Sequence, residues 1–202
     1  MKKRVLAFCI SVILGVVFCG CLGKGANVGG ADSDISSNQD AEIPVFSEDY
    51  IAGVDFGGIP FWYDDIYDTV SATLVFTRDK TVEVYMGQSL YDEHDTLIDT
   101  VPLTDEQYSN IESKVNQKRL YRLDPGSDEF MEDGVYRYIY LYDENNELLK
   151  MVGGYEPRNG EFLEMYGELQ RNIPYEEVNE IYEKQKQVIR DNDGVDYDDK
   201  EY

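Results

Sequence analysis

The 202-residue sequence predicts an α+β fold, in which an antiparallel sheet is built from two hairpins plus an extra strand and helices pack on one face. Apolar and polar residues alternate in two pairs of segments, and each pair is joined by a short polar turn. Apolar residues then recur at helical spacing after each pair. The hydrophobic fraction of 42% lies near the globular norm, so most of the chain is expected to fold.

The first hairpin and the extra strand come early in the folded body. Residues 69–77 alternate with one apolar face, 78–80 form a polar turn, and 82–86 alternate again. This pattern predicts a hairpin with one buried face. The stretch 96–103 is expected to add a third strand.

A helix is predicted to follow this strand. Thr104 and Gln107 have the spacing of a capping box, which marks a helix start. The Asp-Pro-Gly sequence at 124–126 is a strong stop signal. One helix is therefore expected between the two signals.

The second hairpin is predicted over 135–143 and 148–155, and two helices are expected after it. Helical periodicity covers 162–169 and resumes over 178–189 beyond Pro174. Proline is tolerated in the first turn of a helix and not inside it, so Pro174 should separate two helices.

Tyrosines alternate along the first strand of this second hairpin, at positions Tyr136, Tyr138, Tyr140 and Tyr142. They share one face, and the opposite face carries Val135, Arg137, Ile139 and Leu141. Four phenols in a row can form a platform for sugars or for a partner strand. They can equally pack beneath a helix with only their hydroxyls reaching water. Tyrosine suits half-buried sheets generally, which favours packing.

The charge balance is strongly acidic. The chain has 18 Lys and Arg against 41 Asp and Glu, a formal net charge of −23. A surface this negative repels phosphate, so nucleic acid and bare anionic lipid are poor partners for the domain.

The N-terminus has the layout of a secretory signal, because a basic start is followed by an apolar run over 5–18. The run ends in Phe18-Cys19-Gly20-Cys21, which resembles the lipobox of bacterial lipoproteins: a small residue precedes the cysteine that is lipidated. The resemblance implies removal of residues 1–20 and a diacylglycerol thioether on Cys21, often with a further acyl chain such as palmitate. It implies a lipid-anchored protein on the extracytoplasmic side of the cell membrane. The alternative, an uncleaved apolar helix over 5–23, gives the same topology.

The remaining chain divides into linker, domain and tail. Residues 21–42 hold the lipidated cysteine and a Gly/Ser/Asn/Asp-rich stretch without periodicity, which predicts a flexible linker. As a random coil, this linker has a root-mean-square span of about 25 Å. Residues 43–190 are expected to form one domain, and 191–202 an acidic disordered tail.

The sequence contains little that indicates catalytic chemistry. The three cysteines, Cys9, Cys19 and Cys21, all lie in or at the signal, which excludes a disulfide framework, a thiolate nucleophile and cysteine-ligated zinc in the body. The single histidine, His94, is flanked by acids, which favour its charged form rather than a general base. We therefore predict no catalytic residue, metal or cofactor.

One segment combines aromatic rings and acids, and it supplies the candidate ligand-binding residues Trp62, Tyr63, Asp64 and Asp65. Rings can stack on sugar C–H groups while carboxylates accept hydroxyl hydrogens. Large aromatics are usually packed, so the competing hypothesis is a segment pinned to the domain with its acids solvated.

These observations favour a non-catalytic binding or assembly module tethered at the cell surface, with a glycan or a protein as its partner. The alternative is an exported, carboxylate-dependent hydrolase acting on glycans. A function is inferred from a site, and the sequence shows no set of residues that is typical of a catalytic site.

Overall fold

The computed structural model describes residues 43–58, 66–90, 96–126 and 134–193. The strands are β1 (Tyr50–Gly57), β2 (Ser71–Thr77), β3 (Thr81–Met86), β4 (Thr96–Pro102), β5 (Tyr136–Tyr142) and β6 (Leu148–Tyr155). The α-helices are α1 (Asp105–Lys114), α2 (Gln117–Arg122), α3 (Gly160–Arg171) and α4 (Tyr175–Asp193), and Ile66–Thr69 form a short 3-10 helix. The strands form one six-stranded antiparallel sheet in the order β4-β3-β2-β1-β5-β6. The predicted α+β class is confirmed.

Both predicted hairpins and the extra strand are present, and β1 is an additional strand that the sequence pattern did not predict. It lies between β2 and β5 and therefore joins the two hairpins into one sheet. Residues 51–54 are all buried, so β1 lacks the alternation that marks a half-buried strand. Its Gly and Asp residues weaken the strand signal further.

A β-bulge at the start of β1 turns one side chain to the opposite face. Tyr50 pairs with Thr77 and Ala52 pairs with Phe76, so Ile51 is an extra residue on the β1 side. Tyr50 and Ala52 consequently point to opposite faces, although they are two residues apart.

The stretch predicted as one helix after β4 is two helices. The capping box is as predicted: Thr104 Oγ1 accepts a hydrogen bond from the amide of Gln107, and the Gln107 side chain accepts one from the amide of Thr104. Val115 and Asn116 are extended, and Asn116 Oδ1 accepts a hydrogen bond from the amide of Arg119 at 3.0 Å. Asparagine is a strong N-cap, so it ends α1 and starts α2.

Pro174 separates α3 from α4 as predicted, but α4 continues past residue 190. It ends at Asp193, three residues into the segment expected to be a tail. Its last turn is attached to the domain, because the carboxylate of Asp193 accepts a hydrogen bond from the amide of Leu90 at 3.1 Å. Residues 194–202 lie outside the described part of the chain.

The hydrophobic core lies between one face of the sheet and the helices. On the strands it takes Ala52, Val54, Ala72, Leu74, Phe76, Val82, Val84, Met86, Val101, Ile139, Leu141 and Val152. The pairing places these residues on a single face, where they meet helix residues such as Phe162, Leu169 and Ile189. Among the described elements, no helix covers the other face. None of the described helices is long and apolar enough to cross a membrane.

Candidate functional site

The face of the sheet that points away from the helices is the candidate site, and we call it the tyrosine face. Its tyrosines, carboxylates and exposed methionine come from β1, β3, β5 and β6: Tyr50, Asp55, Glu83, Tyr85, Tyr136, Tyr138, Tyr140, Tyr142, Met151 and Tyr155. The β5 neighbours Ile139 and Leu141 are fully buried on the helix side. The four tyrosines of β5 share a face as predicted, and they do not pack beneath any described helix.

Two tyrosines and a glutamate form a hydrogen-bonded cluster at the β1–β3 end of this face. The Tyr50 hydroxyl donates to Glu83 Oε2 at 3.0 Å, and the Tyr85 hydroxyl donates to the same oxygen at 2.6 Å. The two hydroxyl oxygens lie 3.1 Å apart. Burial raises the pKa of both phenols, and the hydrogen bond to Glu83 raises that of Tyr85 further. Both phenols are therefore protonated at neutral pH and act as donors.

A second cluster lies at the centre of the sheet. The Tyr140 hydroxyl lies 2.7 and 2.8 Å from the two carboxylate oxygens of Asp55. Burial, followed by the charge of Asp55, raises the pKa of Tyr140. Asp55 thereby fixes the orientation of the Tyr140 side chain.

Tyr142 lies over the backbone of β1 beside the first cluster. Its ring meets the Tyr50 ring edge-on, with centroids 5.2 Å apart. A Cβ at Gly53 would be 2.6 Å from the Tyr142 hydroxyl oxygen, so the absence of a side chain at Gly53 provides the space for this ring. Burial raises the pKa of the Tyr142 phenol.

The outer part of the tyrosine face is exposed and apolar. Tyr136 is 59% exposed and Met151 is 47% exposed. The Tyr136 ring lies nearly parallel to the Tyr138 ring, and their centroids are 6.1 Å apart. The centroid of the Tyr136 ring is 5.0 Å from that of the Tyr155 ring. The face therefore has an exposed aromatic strip beside polar groups that are fixed by internal hydrogen bonds.

The described strands contribute two carboxylates and no lysine or arginine to the tyrosine face. Lys150 of β6 lies on the helix side, where its amine donates to the carbonyl of Tyr121 at 2.6 Å. Arg137 of β5 is also on the helix side and pairs with Glu156 at 3.3 Å. This charge distribution suits an uncharged or cationic ligand and disfavours an anionic one.

Apart from the β5 tyrosines, the residues considered from the sequence lie outside the described part of the chain, namely Cys21, Trp62, Tyr63, Asp64, Asp65 and His94. The sequence patterns did not predict a role for Tyr50, Asp55, Glu83 and Tyr85. A signal existed for two of them, because Glu83 and Tyr85 occupy the polar positions of a predicted strand and must share a face. Tyr50 carried no such signal, since its orientation depends on the β-bulge.

The acids of the described residues do not assemble a metal centre: these residues contain no group of three or more His, Cys, Asp or Glu side chains that could hold an ion. Elsewhere on the domain, a backbone amide donor lowers the pKa of Glu156, and hydrogen bonds from Lys80 and Arg171 lower those of Asp105 and Glu168. These shifts favour the ionised carboxylate, whereas a general acid needs the opposite shift.

Comparison of the chain with protein families, with curated proteins and with solved structures gives no match. The function is therefore inferred from the chemistry of the chain's own surface.

Proposed function

We propose that the protein is a non-catalytic binding module, held by a lipid anchor on the extracytoplasmic side of the membrane, that binds a glycan chain on the tyrosine face. The observation that carries the proposal is a strip formed by the exposed Tyr136 and Met151 and the half-buried Tyr138, next to the phenol–carboxylate clusters. The proposed anchor is the lipidated Cys21.

The aromatic strip supports the choice of a sugar ligand. Tyrosine offers a rigid amphipathic ring that loses little conformational entropy on binding. Its apolar face can stack on sugar C–H groups, while its hydroxyl remains available to sugar hydroxyls.

The polar clusters support the same choice. Asp55 and Glu83 each accept a hydrogen bond from a phenol, so the hydroxyls of Tyr140 and Tyr85 are held in place before any ligand arrives. Preorganised groups bind at a lower entropic cost than mobile ones. The lack of basic side chains on the described strands of this face favours uncharged sugars over acidic ones.

The binding function is preferred to hydrolysis because of how these acids are used. A glycosidase needs two carboxyl groups about 5–9.5 Å apart, one of them kept protonated as the acid. On the tyrosine face, both carboxylates already accept phenol hydrogens. Their geometry supports orientation of phenols rather than proton donation to a leaving group.

Affinity electrophoresis of the protein through gels containing neutral, acidic or basic polysaccharides tests the glycan proposal. We expect retardation by at least one neutral polysaccharide and a drop in affinity of about tenfold or more for Tyr136→Ala. Tyr175→Ala is the matched control, since Tyr175 is 63% exposed on the helix side. Equal retardation of the two variants, or no retardation by any neutral glycan, would contradict the proposal. Release of reducing ends that Glu83→Gln abolishes would favour the hydrolase.

The anchor is tested separately by metabolic labelling with a radioactive fatty acid. We expect label in the wild-type protein and none in Cys21→Ala. Equal label in the two proteins would contradict the lipid anchor and would not bear on the glycan proposal.

A further inference from the structure

A groove lies beside α2. It has a volume of about 450 Å³, and we call it the basic groove. Its lining residues are Ile43, Asn116, Lys118, Arg119, Arg122, Leu123 and Glu161. The break between α1 and α2 creates it, because Asn116 caps α2 there and starts a new helix that carries the basic residues.

The charge of this groove is opposite to that of the whole protein. The nine residues 114–122 contain Lys114, Lys118, Arg119 and Arg122 and no acid, in a chain of net charge −23. Arg119 forms an ion pair with Glu161. Among the described residues, no carboxylate pairs with Lys118 or Arg122. Two exposed cations are thus available to an anionic ligand.

The groove lies at the point where the N-terminal segment joins the domain. Ile43 is the first residue that the structure describes, and its side chain lines the groove. The preceding residues, 21–42, lead to the proposed lipidated Cys21.

A local cluster can bind an anionic surface that the protein as a whole would avoid. The Debye length is about 8 Å at physiological salt, so at contact only nearby charges matter. Each Lys or Arg held close to an anionic leaflet adds to the attraction, and a cluster next to a lipid anchor adds its binding to that of the anchor. Ile43 and Leu123 provide apolar contact for the part of a lipid below its headgroup.

We propose that the basic groove binds the phosphate groups of anionic lipids and orients the tethered domain. This rests on the proposed lipid anchor, and it places the groove at the membrane surface. It differs from the expectation from net charge that anionic lipid is a poor partner, because that expectation averages over the whole surface.

The experiment uses the full lipidated chain in nanodiscs of phosphatidylcholine, with or without about one third phosphatidylglycerol. Hydrogen exchange is followed in a peptide that covers 115–125. We expect exchange at least threefold slower in the discs that contain phosphatidylglycerol, with the difference lost in high salt. Lys118→Gln/Arg122→Gln should abolish the difference, and Lys184→Gln/Arg171→Gln, which removes two exposed charges elsewhere, should preserve it.

The outcomes of this experiment distinguish lipid phosphate from soluble phosphate, and the groove proposal from the proposal of a lipid anchor. Equal exchange in both kinds of disc overturns lipid binding at the groove. Equal protection from free glycerol phosphate in phosphatidylcholine discs overturns the lipid assignment in favour of any soluble phosphate. If the chain does not co-elute with either disc, the anchor itself fails; if it co-elutes without protection, only the groove proposal fails.

Discussion

The two faces of the same sheet have opposite chemistry. The helix-side face carries apolar residues such as Leu74, Phe76 and Ile139, all fully buried against the helices. The tyrosine face carries phenols and carboxylates that hydrogen-bond to one another, together with an exposed strip around Tyr136 and Met151.

This difference separates the part of the sequence that builds the fold from the part that is available for recognition. Removing apolar surface from water favours folding, so the side chains on the helix side must be apolar and buried. On the tyrosine face packing imposes fewer requirements, so an unusual composition there needs another explanation. Tyrosines and acids in hydrogen-bonded clusters are consistent with ligand recognition.

The largest expected effect is on the helix side. Leu74→Ala should lower the free energy of unfolding by about 3 kcal/mol, because it removes a fully buried side chain and leaves a cavity. Thr73→Ala, at the neighbouring position on the opposite face, should cost less than about 1 kcal/mol. Urea unfolding of both variants measures the difference. Similar losses in the two would mean that both faces contribute equally to stability.

A smaller loss is expected where the tyrosine face comes close to a neighbouring backbone. Gly153 has φ of +148°, and a Cβ there would overlap the carbonyl oxygen of Arg137 in the paired strand. Gly153→Ala should lower the free energy of unfolding by about 2 kcal/mol, since no side-chain rotation relieves an overlap with the backbone. Gly160→Ala is the control, because an added Cβ at Gly160 meets no atom within 4 Å. Equal thermal midpoints of the two variants would refute the overlap.

The buried phenols predict a pH dependence. The pKa of Tyr85 and that of Tyr140 are raised above the unfolded value of 10.0, so the folded state holds these protons more tightly than the unfolded state does. Their contribution to stability is complete below pH 10 and is lost as the pH rises above it. The urea midpoint should fall steeply above pH 10, and less steeply in Tyr85→Phe. At pH 7 the free energy of unfolding of that variant should be lower by only about 1 kcal/mol, because it lacks the hydrogen bond from Tyr85 to Glu83. An unchanged alkaline slope would contradict the pKa assignment.

The smallest effect on stability is expected in the exposed strip. Met151→Thr should change the free energy of unfolding by less than about 0.5 kcal/mol, because Met151 is exposed and threonine suits a strand. Glycan affinity should nevertheless fall if the strip binds the ligand. A variant that unfolds would show that the strip belongs to the core, and one that keeps full affinity would move the ligand away from Met151.

Local patterns in the sequence predicted much of the fold. Both hairpins, the strand at 96–102, the Thr104 capping box and the helix break at Pro174 are present as expected. Each depends on contacts within a few residues, or on a period of 2 or 3.6 that shows directly in the sequence. The helix break at Asn116 was missed, because a capping side chain in the middle of a helical pattern looks like an ordinary polar residue.

The candidate site was predicted only in part. The shared face of the β5 tyrosines follows from their spacing alone. Their pairing with Asp55 and the approach of Tyr50 to Glu83 do not, because the partners are 85 and 33 residues apart in the chain.

The α+β class, the apolar face of each hairpin and the acidic charge can be predicted from the sequence alone, since they follow from composition and periodicity. Three features depend on the folded chain: β1 lies between the two hairpins, the bulge at Ile51 turns Tyr50 toward Glu83, and the described helices leave the tyrosine face uncovered. A strand's partner and the side of a sheet that helices cover are set by contacts between distant segments. Such contacts form only when the whole core is assembled, and no local pattern encodes them.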